Sequence, residues 1–313
     1  MHKLKHLIAI LCFLGLLLSD VYSQQLPQYS QYLLNDFVIN PAMAGRNDFS
    51  LIQSNVRYQW LGFNDAPRTF TVSVNLPYKQ DKVGLGGYMY TDIAGPVTRS
   101  GASMVYAYHV ELGEELRLSM GMFGGFMQYR IDGQNIVLAD EEERYLFEGI
   151  ETALVPDGSF GVNVYTDRGF AGFSFNHLFH NRLNTKLLSS TSPSFGYLKN
   201  HLFVTTGYRF ELTSDLELEP SLLLKVVNPL PAQLDISARF IYQEEVWLGL
   251  QYRFNDAFVV TAGYEYKERI QLGYSYDFTM SNIKHYSTGS HEVMLGYRFN
   301  NQSKGPTGSA PIY

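Results

Sequence analysis

The chain has almost no cysteine, few charges and no long apolar stretch beyond its first residues, and each shortage excludes something. Its single cysteine among 313 residues is Cys12, which lies inside an N-terminal leader. Lys3 and Lys5 precede an apolar run from Leu7 to Leu18, and Val21 and Ser23 supply small residues at the −3 and −1 positions. Residues 1–23 therefore read as a signal peptide cleaved before Gln24. Leu11 precedes Cys12 where a lipoprotein cysteine needs a small residue, so the mature chain is expected to carry no disulfide, reactive thiol or lipid anchor. The leader is shorter than the roughly 20 apolar residues of a spanning helix, and no later run reaches that length. Charged residues are 17% of the chain, against about 25% in soluble domains. No basic patch points to nucleic acid.

What the chain has instead is aromatics and glycine: 23 Tyr, 21 Phe and 27 Gly. From Gly62 onward apolar residues recur at period two with small or polar ones between. Ile270, Leu272, Tyr274, Tyr276 and Phe278 alternate with Gln271, Gly273, Ser275 and Asp277. Val246, Leu248, Leu250, Tyr252 and Phe254 alternate with Trp247, Gly249, Gln251 and Arg253. Leu216, Leu218, Pro220, Leu222, Leu224 and Val226 oppose Glu217, Glu219, Ser221 and Lys225. A strand sends alternate side chains to opposite faces, and in a membrane barrel one face meets lipid while the other meets a polar lumen. The segments are long enough to cross a hydrocarbon layer at a tilt, which takes about 9–11 residues. Aromatics crowd their ends, as in Tyr264 with Tyr266 and Tyr297 with Phe299. A soluble β-sandwich, whose strands average about 5–6 residues, fits less well.

Fourteen strands are predicted, at 50–61, 69–76, 83–92, 98–112, 115–131, 157–167, 169–179, 201–212, 216–227, 232–242, 246–254, 257–266, 269–278 and 290–299. Every second connection is short, while 132–156, 180–200 and 279–289 all fall in the other set. Short periplasmic turns alternating with longer outer loops describe an outer-membrane barrel of a Gram-negative bacterium, an all-β antiparallel fold with both termini periplasmic. Closure is expected, because an open edge in lipid leaves backbone groups unpaired. The chain thus divides into a signal peptide (1–23), a non-strand segment in the lumen or at the periplasmic mouth (24–49), a barrel (50–299) and a flexible C-terminal tail (300–313).

Residues 24–49 do not alternate. They run Gln28-Tyr29-Ser30-Gln31-Tyr32, then Asn35, then Asn40-Pro41-Ala42-Met43-Ala44-Gly45. With Arg57, Trp60, Gly62, Phe63, Ala66 and Pro67, then Gly84 to Gly87, Asp92, Tyr106 to His109, Pro156, Asp157, Gly161 and Gly172 to Leu178, this ordered set resembles the PorP/SprF family of Bacteroidota outer-membrane proteins. The most specific part is Asn40, Pro41, Ala42, Gly45, Arg57, Trp60 and Pro67. The resemblance implies a place in the type IX secretion and gliding-motility apparatus. Some such proteins are core machinery, and others help export or anchor surface adhesins that carry a C-terminal sorting domain.

A search for chemistry finds little. No G-x-S-x-G occurs, and a Ser and a His three apart on one strand, as Ser174 and His177 are, point to opposite faces and cannot form a catalytic pair. His177 and His180 lack the further ligands of a zinc set. His109 faces the lumen or its rim. No catalytic residue, cofactor site or metal site is expected. Asp140, Glu141, Glu142 and Glu143 lie in the longest outer loop, the best candidate for a partner contact. Trp60 and Pro67 read as an interfacial anchor and turn geometry. The lumen-facing charges Glu217, Glu219, Lys225, Asp235, Arg239, Arg253, Glu265 and Arg298 either line a pore or form a network that plugs the barrel. The expected partners are outer-membrane lipid and a secreted cargo, surface adhesin or other type IX component. The function read from all this is non-catalytic binding that exports or anchors such a cargo, or links envelope components; the alternative is a porin-like or hydrophobic-solute transport barrel.

Overall fold

The structure, a computed structural model, describes residues 26–299 except 63, 79–81, 134–148, 180 and 184–196. It is a closed antiparallel β-barrel of fourteen strands. The strands are β1 Ser50–Leu61, β2 Arg68–Tyr78, β3 Val83–Ala94, β4 Val97–Glu111, β5 Arg117–Asp132 and β6 Ile150–Tyr165. There follow β7 Gly169–Asn176 and β8 His201–Tyr208, which resumes as Phe210–Glu211 after Arg209. β9 Leu216–Val227, β10 Gln233–Tyr242, β11 Val246–Arg253, β12 Ala257–Tyr266, β13 Ile270–Thr279 and β14 Gly289–Phe299 complete the wall. Each strand pairs with its neighbours in sequence. β14 returns to β1, with Ser50 opposite Phe299 and Tyr58 opposite His291, so no edge is left open. Among the described residues no helix is long and apolar enough to cross a membrane.

The two faces are inverted relative to a soluble protein. Met89, Met104, Met122 and Leu154 project outward, Met104 with 80% of its surface exposed. Arg57, Asp235, Arg253, Asp277, Glu292 and Arg298 point inward and are buried. Period two places both sets: on β11, Leu248 and Leu250 are outward while Trp247, Gln251 and Arg253 are inward. Outward aromatics gather near the two strand ends. Tyr78, Tyr208, Tyr242, Tyr266 and Tyr297 lie toward the end where β1 begins and β14 finishes, the near end. Tyr252, Phe254, Phe258 and Phe278 lie toward the opposite, far end. Aromatic rings at both rims match the girdles found at a lipid bilayer's two interfaces.

The strand bounds differ from expectation chiefly at β6, which begins at Ile150 rather than at 157. Pro156, Asp157 and Gly158 look like a break in the sequence, yet they continue the ladder opposite Phe126, Gly125 and Gly124. The loop read as 132–156 is therefore 133–149, and its acidic residues Asp140 to Glu143 lie outside the described residues. At the other long loop β7 stops at Asn176, because His177 takes a left-handed backbone (φ 59°).

Residues 26–49 fill the lumen, and the contacts order them along the barrel axis. Leu26 N–H donates to Nε2 of His201 at the far end, where β8 starts. Tyr32 meets Ser221 and Ser237 midway along β9 and β10. Gly45 N–H donates to Asn75 near the end of β2. The segment therefore runs from the far end to the near end, where β1 begins. Loop parity puts the two ends of the barrel on one side, but it does not apply to a segment threaded through the lumen. Leu26 lies at the opposite end from Phe299.

Candidate functional site

The feature that sets this barrel's properties is the seat of the N-terminal segment. Its far half is held by charge. Ser30 donates its backbone N–H to Glu292 (2.8 Å) and its hydroxyl to both oxygens of Asp277 (2.8 and 2.9 Å). The same hydroxyl accepts from Nη1 of Arg57 (2.8 Å) and Nη2 of Arg253 (3.2 Å). Arg57 also pairs with Asp277 (2.7 Å) and Glu292 (3.3 Å), and Arg253 with Asp277 (3.0 Å) and Asp235 (3.4 Å). Four strands (β1, β11, β13 and β14) thus converge on one serine. Charges so buried are tolerated because each meets opposite charge and hydrogen bonds; a single member removed leaves the others uncompensated. Just inward, the Asn35 amide donates to Asn55 and Ser73, and Leu34 O accepts from Gln53. The Tyr32 hydroxyl lies within hydrogen-bond reach of Ser221 (3.3 Å) and Ser237 (3.1 Å).

The near half is held by fit. Phe37, Met43 and Ala44 pack with Val105, Ala107, Phe123, Tyr165 and Phe170 of the wall. The Asn40 side chain accepts from Ala42 N–H (3.0 Å), capping a single 3-10 turn with Pro41 in its first position, and donates to Val162 O (3.3 Å). That turn lies against Gly121, Gly161 and Gly172, and a Cβ at any of them would run into Pro41, Ala42 or Asn40. Gly45 adopts φ +71° and abuts Gly84 of β3. Three wall side chains then take the carbonyls that this irregular backbone leaves over. Ser174 donates to Ile39 O (2.8 Å), Ser119 to Ala42 O (2.7 Å), and Nε2 of His109 bonds Ala44 O (2.8 Å).

The sequence-predicted residues separate accordingly. Asn40, Pro41, Ala42, Gly45 and Arg57 come together as parts of the seat. Trp60 does not join them: it sits at the irregular end of β1, with φ 52° and its N–H on Ser290. Pro67 O accepts from Gln59 N–H and closes the β1–β2 hairpin. The lumenal charges are buried ion pairs: Glu219 with Arg239 (2.7 Å) and Arg209 (3.3 Å), Glu265 with Arg298 (2.5 Å), and Lys225 with Asp235 (3.3 Å). Ser174 and His177 are not on opposite faces as strand alternation suggests, because His177 lies beyond the strand end. Its ring turns inward to Asp157 (Nδ1–Oδ1 2.9 Å), while Ser174 is engaged with Ile39 O. Among the described residues no cluster of His, Cys, Asp and Glu could hold a metal. Glu292 and Gly121 escaped the sequence reading, and Ser30 entered it only as one member of the Gln28–Tyr32 run, with no role of its own. The period-two pattern through Met294, Gly296 and Arg298 does place Glu292 inward.

This arrangement defines a class: an outer-membrane β-barrel whose lumen is occupied by its own N-terminal segment. The sequence profile of the type IX secretion system membrane protein PorP/SprF matches residues 21–297, and the chain belongs to that family. No curated relative matches the chain. Solved structures of similar fold include the CymD monoaromatic hydrocarbon channel (10% identity, 87% of this chain and 93% of that one, TM-score 0.51). A FadL homologue of Pseudomonas aeruginosa (10%, 90% and 96%, 0.49) and Omp33 of Acinetobacter baumannii (7%, 82% and 99%, 0.45) are also similar. At such identity the likeness is one of fold alone.

Proposed function

We propose that the protein is a non-catalytic component of the type IX secretion system that binds a secreted surface protein, or another envelope component of the machinery, at the outer membrane. The observation that carries this reading is the occupied lumen. A segment clamped by buried ion pairs at one end and packed among glycines at the other suits a barrel that acts through its surfaces rather than as an open conduit. In this reading the leader is removed before Gln24, the near end faces the periplasm, and the far-end loops meet the partner. Those loops span 133–149, with Asp140 to Glu143, and 177–200.

The test is an affinity pull-down from native outer membranes followed by mass spectrometry. Recovery of an adhesin-type cargo with a C-terminal sorting domain, or of other type IX components, is the expected result. Recovery of neither would sink the reading. Replacing Asp140, Glu141, Glu142 and Glu143 by Ser is expected to weaken partner retention without changing barrel stability. Steady ion conductance of the purified protein in planar bilayers would instead favour a porin-like barrel.

A further inference from the structure

One part of the lumen is built unlike the rest. Between the N-terminal segment and the wall, toward the far end, lies a cavity with about 840 Å³ of empty space, counting that open to solvent. Tyr29, Tyr88, Tyr90, Phe203 and Leu230 supply much of its wall. Tyr88 and Tyr90 present rings inclined by 23°, with centroids 6.1 Å apart. At the same level across the barrel the lumen is lined by the Arg57, Arg253, Asp277 and Glu292 network, so at this level the two sides of the lumen differ.

The cavity's polar groups set the chemistry. Its lining contains one charged side chain, Lys225, and no carboxylate. The ammonium spends one contact on Asp235 (3.3 Å), which sits behind it and is shared with Arg253. An ammonium carries three donors, so two remain for another acceptor. His201 offers no second cation, since its Nε2 accepts from Leu26 N–H and its Nδ1 faces Lys199 O. The cavity ends among His201, Val227, Leu230 and Gln233, at the far-end starts and finishes of β8, β9 and β10.

We infer that this cavity binds an amphiphile with an apolar body and one anionic head group, the body lying against the tyrosine face and the head on Lys225. Leu26 to Tyr29 form part of the wall, so a bound molecule would bridge the N-terminal segment and the barrel.

The full mature chain in lipid nanodiscs provides the test, with 1-anilinonaphthalene-8-sulfonate as fluorescent probe and decanoate and decanol as competitors. Saturable probe binding above that of empty nanodiscs is expected, displaced more strongly by decanoate than by decanol. Leu230→Trp, which fills the cavity from its rim, should abolish saturable binding; Val227→Phe provides a second filling variant should the first not fold. Lys225→Met should weaken decanoate about tenfold or more, the loss expected for one partner of a charge pair, and leave decanol unchanged. The inference is overturned if binding equals that of empty nanodiscs or survives both filling variants. It is also overturned if Lys225→Met weakens the acid and the alcohol alike.

Discussion

The two sides of the lumen hold one segment by different physics. From β9 round to β1 the inward face is charged: Glu219, Asp235, Arg239, Arg253, Glu265, Asp277, Glu292, Arg298 and Arg57 are all buried. From β3 to β7 it is mostly small and apolar, with Gly84, Gly121, Gly161 and Gly172 between Val105, Phe123, Met127, Val155 and Phe170. Its polar members, such as His109, Ser119 and Ser174, meet backbone carbonyls of the segment, while one ion pair, Asp92–Arg99, lies toward the far end. The charged side fixes residues around Ser30 through direction and charge balance. The apolar side fixes residues 37–45 through shape, with backbone so close that side chains are excluded. A charged wall tolerates no missing partner, whereas a packed wall loses stability in proportion to what is cut away.

Substitutions can break this contrast, and the largest effect is expected on the charged side. Asp277→Leu removes the carboxylate that Arg57 and Arg253 share, leaving them only the longer ion pairs with Glu292, Asp235 and Asp256. The change should cost about 3–5 kcal/mol, read as a lower unfolding midpoint by heat-modifiable gel migration. It should also raise conductance in planar bilayers as the Ser30 end comes loose. Phe37→Ala on the packed side should cost about 3 kcal/mol through lost burial and a cavity. Because the Ser30 clamp stays intact, conductance should remain low; an open channel in this variant alone would show that packing, not charge, retains the segment. Ser30→Ala removes hydrogen bonds to charged groups but leaves the ion pairs, for about 1.5–3 kcal/mol. Arg168→Ala cuts the exposed Arg168–Glu211 pair (2.8 Å) at the near rim and should move the midpoint by less than about 1 kcal/mol. A loss there as large as that of Asp277→Leu would erase the distinction between buried and exposed pairs.

Much of the wall could be read from the sequence because lipid and lumen demand opposite chemistry from neighbouring residues. Period two located Arg253 and Asp277 inside and Leu250 and Phe278 outside. It failed where strand-breaking residue types continue the ladder, as at Pro156, or where the chain leaves it abruptly, as at His177. The seat was legible only as a resemblance. Asn40, Pro41, Ala42 and Gly45 stood out in the sequence, but nothing local says that the turn they form will meet three glycines on β5, β6 and β7. Those contacts join positions about 80–130 residues apart, and a strand glycine carries no mark of what approaches it. The cavity beside Lys225 was invisible for the same reason, since its wall is assembled from the N-terminal segment and several strands.

The placement of Arg57 and Glu292 has a consequence for assembly. They stand on β1 and β14, the two strands whose pairing closes the ring, and both grip Ser30. Before that seam forms, the residues around Ser30 have only part of their clamp, and the buried charges of β1 and β14 have no shared partner. Once it has formed, a segment running the length of the lumen is enclosed on every side. Zipping the last pair of strands and locking the chain's own N-terminal stretch inside are therefore a single act, and the seam between first and last strand doubles as the fastening of what it encloses.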